Sequence, residues 1–204
     1  MRYDAVVFDL LTALLDSWTL WNDVAGSPEA GLRWRRRYLE ITYGCGAYRP
    51  YEELVREAAR DSSLPSSLGD DLERRWDELM PWPEAAGVLR RLPVPLAVAT
   101  NCSVALGKRA AARVGVKFDV VVTAEAAGFY KPRPEPYQAV LAALGTRPER
   151  TLFVAGSASD VPGAKRLGMA VYWHNRIGLP AQDGVVPDHL EPTLDRLAAV
   201  AGGG

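Results

Sequence analysis

The segment RYDAVVFDLL, residues 2–11, decides the fold, because an unbroken apolar run ends abruptly on a carboxylate. The run Ala5–Phe8 predicts a strand buried on both faces, which is typical of a parallel sheet. Asp9 follows at the carboxyl end of this strand, where open α/β sheets place their ligands. A carboxylate in that position is a candidate covalent nucleophile. Position 11 is Leu, so the segment lacks a second acid that could protonate a phosphate-ester leaving group.

Further apolar runs alternate with helical patterns along the chain, as in parallel sheets with crossover helices. The predicted strands are Ala5–Phe8, Pro95–Thr100, Val120–Thr123, Thr151–Ala155 and Ala170–Trp173. The predicted helices are Ala85–Leu92, Val104–Val114, Pro134–Leu144, Pro162–Leu167 and Leu190–Val200. The expected fold class is therefore α/β, with a doubly wound, Rossmann-like parallel sheet.

The stretch between the first two strands has a different character, with helical spacing and many aromatic residues. Its Ser- and Pro-rich segment 61–67 predicts an internal loop. We expect residues 1–16 and 81–204 to form an α/β core domain and residues 17–80 to form a helical cap domain. A cap inserted after the first strand would stand over the carboxyl ends of the sheet.

Composition excludes several classes of function. The formal net charge is −1 and the pI is about 6.2, so no basic surface for nucleic acid is expected. The two cysteines suggest no disulfide framework, no signal peptide is recognisable, and we expect a cytoplasmic protein. No apolar stretch approaches the roughly 20 residues of a membrane helix. With two histidines and no Cys/His pair at ligand spacing, no zinc site is expected.

Polar residues follow four predicted elements and should converge on one crevice. Asp9 offers a nucleophilic oxygen, and Thr100 and Asn101 offer neutral donors near a helix N-terminus, which suits an anion. Lys131 offers a positive charge that would keep Asp9 ionised and balance an anionic substrate. Asp160 offers a second carboxylate that would hold Lys131 or help to activate a water.

These segments, in this order, resemble the haloacid dehalogenase superfamily over nearly the whole chain, including the insert. Within it the chain is most similar to L-2-haloacid dehalogenases, which lack the second acid of the first motif and use no magnesium. Trp34-Arg35 on a basic helix matches their cap segment. The Lys-Pro-Arg-Pro run at residues 131–134, with Tyr137 downstream, matches their Lys-Pro-X-Pro motif.

The resemblance implies attack of Asp9 on the α-carbon of a short 2-haloacid, with inversion and formation of an aspartyl ester. Water held by Lys131, Asp160 and nearby hydroxyls would then hydrolyse the ester. The implied catalytic residues are Asp9, Lys131, Asp160 and Thr100. The implied residues for binding substrate and halide are Arg35, Asn101, Leu10, Leu11, Tyr137 and Ser157. Thr100 and the backbone amides near Leu10 and Leu11 would hold the substrate carboxylate. Arg35 and Asn101 would hold the halide.

Structural alternatives remain open for several of these residues. Asp160 could cap a helix, Arg35 could belong to a solvated helix face, and Tyr137 could be core. The chain also departs from the family pattern at several positions. Position 13 is Ala, where the family has a residue with a supporting hydroxyl. The family has Ser, Asn and an aromatic residue at the positions of Ala155, Ser157 and Ser159.

Functional alternatives follow from these departures. One is a magnesium-dependent phosphatase of the same fold, with the metal held by Asp9, the Leu11 carbonyl and Asp160. Others are a hydrolase of another 2-substituted carboxylate and a catalytically inactive binding relative. No cofactor is expected, except Mg²⁺ for the phosphatase. The expected partner is a small carboxylate, without nucleic acid or membrane, and the resemblance implies a homodimer.

Overall fold

Six parallel strands form one sheet in the computed structural model, which describes residues 2–182 and 184–202. The strands are β1 Ala5–Phe8, β2 Leu96–Thr100, β3 Val120–Thr123, β4 Thr151–Ala155, β5 Ala170–His174 and β6 His189–Glu191. Their spatial order is β3-β2-β1-β4-β5-β6, so β1 lies inside the sheet. Val7 of β1 pairs with Ala97 on one side and Phe153 on the other. Asp9, which follows β1, therefore lies beyond the end of an interior strand of the sheet.

Helices cover the sheet on both faces, which confirms the doubly wound α/β fold. The helices are α1 Ser17–Ala25, α2 Pro28–Gly44, α3 Tyr51–Asp61, α4 Ser67–Arg74, α5 Ala85–Leu89, α6 Val104–Arg113, α7 Ala124–Ala127, α8 Pro134–Leu144, α9 Asp160–Arg166 and α10 Leu197–Gly202. Val6 and Phe8 pack in the apolar cluster with α5, α6 and α10, whereas Val7 packs with α8 and α9. None of the described helices has the length and apolar character needed to cross a membrane.

The predicted helix Leu190–Val200 is wrong. The structure has β6 at His189–Glu191, paired with β5, and then the short helix α10. The physical reason is Pro192, because a residue that precedes proline is driven towards extended backbone. The predicted helix Pro134–Leu144 forms with these bounds as α8, and the other predicted core helices form with shifted ends: α9 begins two residues earlier, at Asp160, and α5 ends at Leu89.

The first four helices lie between β1 and β2 in the chain and pack around a cluster of aromatic rings. The ring centroids of Trp21 and Trp34 are 4.5 Å apart, and those of Tyr51 and Trp76 are 5.8 Å apart. Trp34 is fully buried and its indole N–H donates to the Val55 carbonyl. Such aromatic pairs stabilise a small core beyond their buried area. The predicted loop at 61–67 is confirmed as the turn between α3 and α4.

Contacts at several points join these helices to the rest of the chain. Isolated bridges pair Leu15 with Pro81 and Ala47 with Phe129. The Tyr38 hydroxyl donates to the carbonyl of Asn101, just beyond the end of β2. The helices α1–α4 therefore cover the carboxyl edge of the sheet, while the division into two domains at residues 17 and 80 stays a prediction.

Gly156 follows β4 where the loop after β1 passes closest. A Cβ at this position would lie 2.2 Å from the backbone nitrogen of Ala13 and 2.4 Å from the carbonyl carbon of Thr12. We expect Gly156→Ala to lower the free energy of unfolding by about 1–3 kcal/mol, because backbone must move to make room. Urea unfolding followed by circular dichroism measures the change.

Gly87→Ala is the matched control. Gly87 is exposed in α5 and an added Cβ would meet nothing within 4 Å. It should raise the free energy of unfolding by about 0.5–1 kcal/mol, since alanine favours helix over glycine. Equal effects of the two substitutions would contradict the close approach at Gly156.

Candidate active site

Four loops bring charged and polar side chains together at the carboxyl edge of the sheet. Asp9 directly follows β1, and Asn101 directly follows β2. Lys131 lies between α7 and α8, and Asp160 opens α9 after β4. The strands are parallel, so the loops that follow them meet at one edge. The convergence predicted from sequence is thus present for these four residues.

The Lys131 ammonium bridges two carboxylates. Its Nζ lies 2.9 Å from Oδ1 of Asp9 and 3.0 Å from Oδ2 of Asp160. All three residues are buried, with exposed fractions of 2% for Lys131, 6% for Asp9 and 2% for Asp160. Buried charges persist in proteins when they are paired. The trio therefore keeps two carboxylates charged around one cation, with a formal charge of −1.

The two oxygens of Asp9 have different surroundings. Oδ2 accepts three hydrogen bonds, from the backbone N–H of Thr12 at 3.0 Å, from the Thr12 hydroxyl at 2.6 Å and from the backbone N–H of Ala13 at 3.2 Å. Oδ1 accepts one bond, from Lys131. One oxygen is therefore fixed by the loop, and the other keeps lone pairs for chemistry.

The environment moves the three pKa values in definite directions. Burial raises the pKa of Asp9, but the Lys131 charge and the hydrogen bonds from Thr12 outweigh it, so the pKa lies below its ordinary value. Burial, with the Asp9 charge added, holds the pKa of Asp160 above its ordinary value despite Lys131. Burial opposes the charge of Lys131, yet the two carboxylates raise its pKa. Asp9 is thus the more acidic of the two carboxylates and Asp160 the more basic one.

Tyr137 orients Asp160 from outside the cavity. Its hydroxyl donates to Oδ1 of Asp160 at 2.7 Å, and its ring packs on Phe153 with centroids 5.2 Å apart. Burial holds the pKa of Tyr137 well above its ordinary value, so the hydroxyl stays a donor. The Asp160 carboxylate is occupied by Tyr137 and Lys131, and Ser159 holds the position before α9. Asp160 is therefore not a helix cap.

Arg35 presents a cation to the same space. It is 8% exposed, its Nη1 donates to the Ser17 hydroxyl at 2.9 Å, and its guanidinium lies 3.8 Å from the Trp18 ring centroid. Among the described residues it forms an ion pair with no carboxylate. Burial lowers the pKa of Arg35 from its ordinary value. A guanidinium remains charged in proteins, so Arg35 offers unused N–H donors to an anion.

Asn101 fastens the Lys131 loop to the end of β2. Its Nδ2 donates to the Lys131 carbonyl at 2.9 Å, and its Oδ1 accepts from the Lys131 backbone N–H at 2.7 Å. These reciprocal bonds fix the backbone from which the lysine side chain extends. One amide hydrogen of Asn101 remains available.

A cavity of about 280 Å³ lies between α2 and this edge of the sheet. The predicted site residues that line it are Asp9, Leu11, Arg35, Asn101, Lys131, Ser157 and Asp160. Leu10, Thr100 and Tyr137 do not line it. Thr100 is fully buried with its hydroxyl 3.7 Å from Sγ of Cys102, because the last side chain of β2 turns towards α6. Leu10 packs in the apolar core.

Sequence reasoning missed several residues of this site, among them Thr12, Trp18 and Tyr43. Thr12 supplies the hydroxyl bonded to Asp9, and the signal was available, because Asp commonly accepts from the N–H three residues on. Trp18 and Tyr43 line the cavity from the insert. The Tyr43 hydroxyl lies 2.5 Å from that of Ser159, which is 2.8 Å from that of Ser157. No local pattern could reveal a contact across more than one hundred residues of chain.

The donor set considered for magnesium does not fit a metal. The Lys131 ammonium occupies the position between Asp9 and Asp160, and the Leu11 carbonyl accepts from the Ser17 N–H at 3.3 Å. Across residues 2–182 and 184–202, no group of three or more His, Cys, Asp or Glu side chains could hold a metal ion.

Lys131→Met tests the charge balance of the site. It leaves two buried carboxylates without a cation, and we expect the free energy of unfolding to fall by about 3–5 kcal/mol at about pH 7. Without the ammonium, burial raises both carboxyl pKa values, so stability falls as pH rises through them. The deficit should therefore shrink at about pH 5, as urea unfolding at the two pH values would measure.

Lys165→Met is the control, because Lys165 pairs with Asp188 in a half-exposed bridge. Its loss should cost less than about 1 kcal/mol and should not depend on pH in this way. A Lys131→Met deficit as small as that of the control would contradict the role of Lys131 as the counter-charge.

Comparison with known proteins places the chain in a family. A family model described as haloacid dehalogenase-like hydrolase matches residues 3–168. Haloacetate dehalogenase H-2 from Moraxella sp. (strain B) is 28% identical, covering 96% of this chain and 96% of its own. Phosphatase MT3486 from Mycobacterium tuberculosis (strain CDC 1551 / Oshkosh) is 32% identical, covering 100% of this chain and 99% of its own.

Solved structures agree on the architecture. The L-2-haloacid dehalogenase from Xanthobacter autotrophicus superimposes with a TM-score of 0.87 at 26% identity, covering 98% of this chain and 99% of its own. Its structure with chloropropionic acid covalently bound gives the same TM-score of 0.87. The sheet order, the insert after β1 and the family match lead to one conclusion: the chain belongs to the haloacid dehalogenase-like hydrolases.

Proposed function

We propose that this protein is a metal-independent dehalogenase, which hydrolyses a 2-haloacid through an ester formed on Asp9. The observation that carries the proposal is the Lys131 ammonium held between Asp9 and Asp160, 2.9 Å and 3.0 Å away. It supplies within the protein the positive charge that a carboxylate nucleophile needs when it meets an anionic substrate. The names and structures of the similar dehalogenases support the same reaction class.

The first step uses the free oxygen of Asp9. Oδ1 attacks the α-carbon, the carbon–halogen bond breaks, and the halide leaves with the bonding electron pair. Four unused N–H groups of Arg35 and the remaining amide hydrogen of Asn101 would stabilise the halide. No proton is transferred to a halide, so the apolar Leu11 is compatible with this step.

Backbone groups would hold the substrate carboxylate. The N–H groups of Leu10 and Leu11 follow Asp9 directly, and Leu11 lines the cavity. Backbone donors next to a nucleophile orient an anion for attack. Thr100 takes no part in this proposal, because its hydroxyl faces Cys102 rather than the cavity.

The second step uses the fixed oxygen. In the ester, Oδ2 is the carbonyl oxygen, and water adds to Cγ, which places negative charge on Oδ2. The Thr12 hydroxyl and the N–H groups of Thr12 and Ala13 already point at this oxygen and would stabilise that charge. Asp160, whose pKa burial raises, would accept a proton from the water. Collapse breaks the bond from Cγ to Oδ1; one proton of the water ends on the product hydroxyl and the other reaches solvent.

Phosphatase activity is the second candidate, favoured by the 32% identity to Phosphatase MT3486 over the whole chain. A phosphate ester needs a proton for its leaving group, and position 11 carries Leu. The bridged carboxylates also leave no metal position between them. Activity on small phosphate esters that depends on magnesium and is lost with chelator would favour this candidate.

Asp9→Asn tests the nucleophile. Wild-type protein should release chloride from (S)-2-chloropropionate in the presence of chelator, and the variant should fall to the background rate, because an amide oxygen is a poor nucleophile. Halide release is measured directly, and mass spectrometry of acid-quenched wild type should find the ester on the peptide that contains Asp9. Absence of halide release by folded wild type would contradict the proposal and favour another 2-substituted acid or an inactive binding relative.

Thr12→Val tests the fixed oxygen. Removal of one donor from the oxyanion should slow ester hydrolysis by about tenfold to a hundredfold, so that ester accumulates after a burst of halide. Quenched-flow halide release and intact-mass analysis separate the two steps.

Thr12→Ser keeps the hydroxyl and serves as the control, with hydrolysis close to the wild-type rate. Equal slowing of the burst and of the later turnovers in Thr12→Val would show that Thr12 only holds Asp9 in place.

A further inference from the structure

The cavity is larger than the smallest 2-haloacids require. Its volume of about 280 Å³ approaches the lower end of the range of about 300–1,000 Å³ that holds drug-sized ligands. A three-carbon acid bound at Asp9 would fill only the part nearest the nucleophile. The remaining space is available to a longer substrate.

One face of α2 gives this space a direction. Leu32, Arg36, Leu39 and Tyr43 all line the cavity and lie three to four residues apart. From Leu32 to Tyr43 the helix rises by about 16 Å, at 1.5 Å per residue. The Tyr43 hydroxyl is bonded to Ser159 beside Asp160, although the residue is 37% exposed, and Leu32 is 45% exposed. The lining that α2 contributes therefore extends from the Tyr43 end, beside Ser159 and Asp160, to the Leu32 end.

Much of the cavity lining is apolar. Beside the charged residues, its apolar walls come from Leu11, Trp18, Leu39, Leu179 and Pro180. Walls of this kind favour an alkyl chain, which gains free energy by leaving water.

Arg36 lines the cavity as an exposed cation. The other three arginines of α2 have acceptors: Arg33 bonds the Ser62 carbonyl, Arg35 the Ser17 hydroxyl, and Arg37 both Asp61 and Glu40. Arg36 is exposed and has no hydrogen-bond or ion-pair partner in the described part of the chain. An anion that emerges from the apolar walls would meet its guanidinium.

We propose that the substrate is an elongated 2-halodicarboxylate, with the reacting carbon at Asp9, an alkyl chain along Leu39 and Trp18, and a terminal carboxylate on Arg36. This inference rests on the proposed dehalogenase function and extends it from the reacting carbon to the far end of the substrate.

The experiment compares kcat/KM for halide release from 2-chlorosuberate, 2-chlorooctanoate and 2-chloropropionate. The first two share a chain length and differ in the terminal carboxylate. Wild type should prefer 2-chlorooctanoate to 2-chloropropionate, and 2-chlorosuberate to 2-chlorooctanoate by about fivefold, the effect of one exposed ion pair. Added salt should weaken the preference for 2-chlorosuberate over 2-chlorooctanoate, because it screens the ion pair. It should leave the preference for 2-chlorooctanoate over 2-chloropropionate unchanged.

Arg36→Gln should bring the ratio of kcat/KM for 2-chlorosuberate to 2-chlorooctanoate close to one. Arg33→Gln is the matched control on the same helix, because Arg33 bonds the Ser62 carbonyl and lies outside the cavity lining. Its ratio should match that of the wild type.

A wild-type ratio near one, or a ratio that Arg36→Gln leaves intact, would overturn the inference while halide release still supported the proposed function. Turnover of 2-chloropropionate as efficient as that of the two longer acids would overturn it as well. No halide release from any of the three acids would overturn the proposed function itself.

Discussion

The site depends on one buried cation shared by two buried carboxylates. Removing charges from water is costly, and attraction repays the cost only when geometry is good and the remaining lone pairs are satisfied. Each member of the trio accordingly has its own support: Thr12 for Asp9, Asn101 for the backbone of Lys131, and Tyr137 for Asp160. Asn101 and Tyr137 lie far along the chain from Asp9 and Thr12, so the charged centre forms only when β1, β2 and β4 have come together.

The helices α1–α4 contribute a further positive charge to the cavity, on the side opposite the sheet. Their aromatic cluster makes α1–α4 a packed unit, and that unit places Arg35 over the cavity, where no carboxylate of the described residues pairs with it. The cavity therefore has the negatively charged trio of Asp9, Lys131 and Asp160 on one side and the positive charge of Arg35 on the other. In the proposed reaction the electrophilic carbon would face Asp9 and the departing halide would face Arg35.

The sequence predicted the sheet well because buried parallel strands are continuous apolar runs, as in Ala5–Phe8 and Thr151–Ala155. It failed at residues 190–200, where the apolar spacing favoured a helix and the effect of Pro192 on Glu191 was overlooked. Asp9, Asn101, Lys131 and Asp160 could be predicted because each follows a recognisable element. The direction of Thr100 and the contacts of Tyr43 could not, because they depend on which way a strand end faces and on how α2 docks.

Because the two oxygens of Asp9 have different surroundings, they would have different fates during catalysis. In the proposed reaction the bond from Cγ to Oδ1 breaks in every cycle, so that oxygen departs in the product and an oxygen from solvent takes its place. Oδ2 never leaves, and its three donors hold the group against rotation that would exchange the two positions. After long use, an enzyme molecule would carry one oxygen from its biosynthesis and one from its latest turnover. Each turnover of the proposed reaction would thus replace one of the two carboxylate oxygens of Asp9 with an oxygen atom from water.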